Sequence, residues 1–135
     1  MKVYAVIDTN VLVSALLAKH PDSATVAIFD RIFDKDIVPM YNEEILREYI
    51  DVLNREKFGF LAEDIALVLK TIISAGVNSE RIESGEILPD KKDLVFYEVS
   101  LSREDSFLVT GNIKHFPKIS KVVTPNEMLD ILNSL

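Results

Sequence analysis

Short apolar runs alternate along this chain with stretches whose apolar residues recur every three or four positions, which predicts strands and helices by turns. Val3–Ile7 is mostly apolar with β-branched residues at both ends, and reads as a buried strand. Asp8-Thr9-Asn10 ends it, and a helix over 11–18 follows with Thr9 or Asn10 as its cap. Pro21-Asp22-Ser23 breaks the chain and caps a second helix, whose apolar side carries Val26, Ile28, Phe29, Ile32 and Phe33. A second short strand covers 36–40. Asn42 then caps a helix running to Asn54, with Glu43 and Glu44 in the first turn, where the helix dipole favours acids. Phe58-Gly59-Phe60 is a connector, and the next helix, Ala62–Ala75, stops at Gly76.

The pattern is weakest over 81–87, the expected third strand. Pro89-Asp90 opens a loop into a helix over 93–101, and 107–110 is a strand ended by Gly111-Asn112. The last strand covers 121–124, and Pro125 starts a C-terminal helix. Strands alternating with helices imply a parallel sheet covered on both faces. The expectation is therefore α/β: a three-layer α/β/α sandwich with a central, mostly parallel sheet, formed by one domain over residues 1–135.

Composition narrows this picture. A chain of 135 residues, 48% hydrophobic and 27% charged, suits one folded domain and argues against disorder. Its apolar stretches are too short to span a membrane, and an acid at position 8 interrupts any signal-peptide core. The absence of cysteine removes disulfides and thiolate metal sites and is compatible with a cytoplasmic protein. The net charge of −7 counts against a general affinity for nucleic acid. A carboxylate cluster changes that argument, because two bound dications would bring −7 to −3 where a phosphate approaches. Residues 107–125 contain no Asp or Glu but hold Lys114, His115, Lys118 and Lys121. This stretch forms either a positive rim, with Lys114 and Lys118 as substrate-binding candidates, or an ordinary solvated loop.

In open parallel sheets, sites form beyond the carboxyl ends of the strands. Asp8 follows the first strand, Asn112 follows the strand over 107–110, and Asp93 opens a helix. Each has a simpler reading, respectively a turn residue, a turn pair with Gly111, and a helix cap. Glu48 is more telling. With about 100° between successive helical residues, Ile45, Leu46, Tyr49, Val52 and Leu53 share one face, and Glu48 lies at its border. A carboxylate there needs a partner, either an arginine such as Arg55 or a metal shared with Asp8 and Asp93. Oxygen ligands without cysteine favour Mg²⁺ or Mn²⁺. His20 and His115 lack the spacing of a metal pair and stay outside the catalytic set.

Four segments together resemble the motifs of PIN-domain proteins, in family order. They are Val6-Ile7-Asp8-Thr9-Asn10, Ile45-Leu46-Arg47-Glu48-Tyr49, Pro89-Asp90-Lys91-Lys92-Asp93, and Leu108-Val109-Thr110-Gly111-Asn112. The resemblance implies a Mg²⁺- or Mn²⁺-dependent nuclease in which Asp8, Glu48 and Asp93 are the catalytic, metal-binding acids. Asp90 and Asn112 become candidates for outer ligands, while Thr9, Asn10 and Thr110 orient the acids. Similarity to the VapC-like group further implies a ribonuclease toxin that cuts RNA, is held by an antitoxin protein and forms a homodimer. The departure is Asn112, where many members carry a fourth acid, and it puts a second metal in doubt. Two other readings remain: a PIN-like module that binds RNA or protein without cutting, and a receiver-type phosphoacceptor. The latter wants two acids after the first strand, where this chain has one.

Overall fold

β1 (Val3–Ile7) lies at the centre of the sheet because both its faces are apolar, and Ala5, Val6 and Ile7 have no exposed surface. The computed structural model describes residues 2–135. β1 is joined by β2 (Ile37–Tyr41), β3 (Val77–Asn78), β4 (Ser106–Val109) and β5 (Val122–Val123) in the order β3-β2-β1-β4-β5, every pair parallel. The helices are α1 (Thr9–Leu17), α2 (Ala24–Phe33), α3 (Glu43–Leu53), α4 (Ala62–Ala75), α5 (Leu94–Ser100) and α6 (Pro125–Asn133). Parallel crossovers are right-handed, so the reversal of direction between β3 and β4 sends α5 to the face opposite α1 to α4. The expected sandwich is what forms. Among the described residues no helix is long and apolar enough to cross a membrane.

Several helix starts follow from local chemistry. Ser23 Oγ accepts from the Val26 N–H, and Asn42 Oδ1 accepts from the Ile45 N–H at 2.9 Å. Thr124 and Glu127 form a reciprocal capping box, with Pro125 in the first turn.

Two expectations need correction. α1 begins at Thr9, two residues before the expected start, with Asp8 itself in the cap position. The third strand is Val77–Asn78 and not 81–87. Val77 pairs with Met40 directly after Gly76, where an added Cβ would lie 2.4 Å from the Pro39 carbonyl. Only glycine lets α4 turn into the sheet there. The 81–87 segment has other bonds: Arg81 and Ser84 hold Glu98 of α5, Gly85 takes φ +75°, and Ile87 is 95% exposed. Glu98 is therefore a buried carboxylate that explains how a short helix with little polar surface sits inside the fold.

Candidate active site

The strand order runs outward in both directions from β1 and β4, which leaves a crevice beyond their carboxyl ends. Asp8 enters it from β1 and is only 4% exposed. Its side chain makes no capping bond to α1, so the carboxylate is not spent on the helix. Thr110, just after β4, donates its hydroxyl to Asp8 Oδ2 at 2.8 Å, and Asn10 Nδ2 donates to the same oxygen at 3.2 Å. Asn10 Oδ1 in turn accepts from the Gly111 N–H, and Thr110 Oγ1 from the Asn112 N–H. The ends of β1 and β4 are thus bonded to each other through side chains.

α3 is drawn under this point by Tyr49, whose hydroxyl donates to the Ile7 carbonyl and whose ring lies 6.1 Å from that of Phe96 on α5. Glu48, the neighbour of Tyr49, is half-buried and opens into the crevice. A short 3₁₀ turn at Lys91–Asp93 precedes α5. Asp90 caps that turn through the Lys92 N–H, while the Asp93 carboxylate makes no capping bond. Asp93 Oδ2 lies 3.2 Å from His115 Nδ1.

Asp8, Thr9, Asn10, Glu48, Asp90, Asp93 and Asn112 all line one pocket of about 240 Å³, together with Arg55, Lys92, Phe96 and His115. Thr110 lies buried behind it. Lys114 and Lys118 do not enter this pocket. They line a separate hollow of about 550 Å³ on the other side of the 112–119 turn. The larger hollow lacks carboxylates, so volume does not select the acid site; donor chemistry does. Lys121, the third lysine of the expected rim, is turned inward, its Nζ 2.8 Å from the Ser100 carbonyl. Burial lowers its pKa.

Burial pushes the Asp8 carboxyl from 3.8 up to about 6, with the Asp93 charge adding to it and the Thr110 hydrogen bond opposing it. Burial also raises Asp93, helped by Asp90 and opposed by His115. Among the described residues neither Asp8 nor Glu48 belongs to an ion pair, since Arg55 reaches Asp51 and not Glu48. The Thr9 hydroxyl is the one fully buried side-chain polar atom among them without a hydrogen-bond partner.

These residues fit a hard divalent cation in donor chemistry: oxygen donors, a buried carboxylate in no ion pair, and an orphaned hydroxyl beside it. The side chains are not drawn together, for among the described residues no three Asp, Glu or His groups stand as an assembled ion cage. Sequence reasoning left out His115 because a lone histidine carries no spacing signal. Only the fold shows that the turn after β4 sets it against Asp93.

The PIN-domain profile matches residues 4–114, and the chain belongs to the PIN-domain family. That family consists of nucleases that generally depend on divalent metals. No curated protein matches the chain.

Proposed function

We propose that this protein is an endoribonuclease that hydrolyses RNA phosphodiester bonds, with Asp8, Glu48 and Asp93 as the acids that hold Mg²⁺ or Mn²⁺. The observation that carries the reading is Asp8, a buried carboxylate that belongs to no ion pair among the described residues and shares one pocket with Glu48 and Asp93 at the reversal of the strand order. Bound there, a divalent ion supplies positive charge for the phosphate and lowers the pKa of the attacking water. Thr110 and Asn10 fix the Asp8 carboxylate by bonding one oxygen, which leaves the other unclaimed by any side chain. His115 fixes Asp93, and Asp90 and Asn112 stand at the rim as outer ligands. The resemblance of the motifs to those of VapC-like proteins supports a toxin held by an antitoxin, acting as a homodimer.

The test is cleavage of RNA by purified protein with Mn²⁺, with and without chelator. Asp8→Asn, Glu48→Gln and Asp93→Asn each lower the rate more than about a hundredfold, beyond the loss usual for an outer-shell residue. Cleavage that survives both chelator and Asp8→Asn overturns the reading. Asn112 favours a second reading, a module that binds RNA without cutting, because a neutral amide replaces charge at the pocket rim. Metal-dependent RNA binding without cleavage would select it.

A further inference from the structure

We propose that the hollow walled by Ile113, Lys114, Phe116, Pro117, Lys118 and Ile119 holds a nucleotide beside the scissile phosphate of single-stranded RNA. The base lies in the apolar cleft and the phosphate meets the two lysines. The proposal rests on the ribonuclease reading and adds a substrate subsite to it.

Four observations converge. The first is adjacency. The 3₁₀ turn Ile113–His115 is a shared wall, with His115 and Asn112 lining the acid pocket and Ile113 and Lys114 lining the hollow. A strand with one phosphate among the acids therefore has its next nucleotide at this turn.

The second is the character of the cleft. Its volume of about 550 Å³ is that of a small-ligand site. Phe116 is buried, whereas Ile113 and Ile119 are 45% and 43% exposed. These two isoleucines leave apolar surface in water, available to an unstacked base. The third is charge. Lys114 and Lys118 take part in no ion pair among the described residues, and no acid lies between 107 and 125 in a chain of net charge −7. Two unpaired ammonium groups with no acid nearby in sequence suit a phosphate in a chain that is acidic overall.

The fourth is shape. A hollow of about 550 Å³ is of a size for a single extruded base, whereas a duplex is recognised across a broad surface of about 16 base pairs. A protein partner would need a contact area on the order of 1,000 Å². The apolar part of the wall is isoleucine, phenylalanine, proline and valine, which contact any base alike, so the subsite discriminates weakly among bases.

The test is fluorescence anisotropy with a short labelled single-stranded oligoribonucleotide in chelator at low salt, where no cleavage is needed. The Ile113→Ser, Ile119→Ser double variant binds at least about fivefold more weakly, the loss expected when two partly exposed isoleucine side chains no longer bury apolar surface against a base. An abasic oligomer binds that variant and the wild type equally. The Lys114→Ala, Lys118→Ala double variant flattens the log–log salt slope by about 1.4, or 0.7 per phosphate contact. All four side chains are exposed or lie at the surface of the turn, and melting curves confirm that the variants are folded.

Unchanged affinity in the isoleucine variant, an unchanged salt slope in the lysine variant, or no binding by the wild type overturns the proposal. A hollow that serves a protein partner gives the first of these results. Hydrolysis of bis(p-nitrophenyl) phosphate with Mn²⁺ by the wild type separates the two readings, because this diester reports on the acid pocket without offering an RNA base. Loss of oligomer binding in the variants, with wild type that cuts neither substrate, supports the subsite and overturns only the ribonuclease reading.

Discussion

At Asp8, one carboxylate is asked to ionise where burial and a neighbouring acid both resist it. The sign of the resulting pH dependence follows from linkage. A carboxyl raised from 3.8 to about 6 binds its proton more tightly in the folded chain than in the unfolded one. Its contribution to stability is then most favourable below the unfolded value and is lost as pH rises towards 6. Over that window the loss amounts to about 3 kcal/mol, and above it the curve is flat. Asp8→Asn removes this dependence, so in chelator the stability of wild type relative to the variant falls between pH 4 and pH 6. Denaturant midpoints at each pH measure it, and a constant difference would mean that Asp8 is not an uncompensated acid. Asn112→Asp adds charge at the same rim. It should tighten Mn²⁺ binding about tenfold, or about 1.4 kcal/mol by calorimetry, and lower the metal-free melting temperature. Legibility differed sharply among these residues. Asp8 and Glu48 stand out as candidates in the sequence because one ends a buried run and the other borders the apolar face of a helix. His115 does not, because its importance comes from a partner 22 positions away.

Among the elements, the local signals worked where a residue type has one cheap role. Asn42 and Ser23 mark helix starts because their side chains meet backbone N–H groups that would otherwise lack partners. The third strand was misplaced because β-branched residues over 81–87 imitate a strand, while the true one is two residues long and depends on a contact invisible in sequence. Gly76 makes that contact. Gly76→Ala sets a methyl carbon against two carbonyl oxygens, at Pro39 and Ile72, and should destabilise the protein by about 2 kcal/mol, read from urea unfolding. Substitution at Gly59, where nothing lies within 4 Å, serves as the control for packing as opposed to backbone strain. In the loop that follows, burial alone would raise Glu98, but hydrogen bonds from Ser84 and Arg81 outweigh it and hold the carboxyl below its usual range. Arg81→Met should cost about 2 kcal/mol near neutral pH, with much of that difference gone once acid protonates Glu98.

For the whole molecule, the strand order decides where chemistry can occur. Residues 8, 48 and 93 are remote in sequence, and only a sheet that reverses direction beside β1 brings their carboxylates to one opening. With a net charge of −7, that gathering has a stability cost that a divalent ion bound there would offset. Millimolar Mn²⁺ should raise the melting temperature of wild type but not of the Asp8→Asn, Glu48→Gln double variant. Sodium chloride at matched ionic strength should move both proteins equally. Equal responses to Mn²⁺ would reduce the effect to screening.

The hydrogen bond between Thr110 and Asp8 also has a consequence in time. It closes over 102 positions of chain, and β1 has β4 as a sheet neighbour. At a synthesis rate of about 5–20 residues per second, a ribosome that has made Asp8 needs about 5–20 s more before it reaches Thr110. Throughout that interval the nascent chain carries an acid with no threonine to orient it and a central strand with one flank open. A polypeptide released early by a stop codon before β4 inherits the same gap. A chain that stops before β4 therefore lacks both the Thr110 hydroxyl that bonds Asp8 and the strand that flanks β1 on that side.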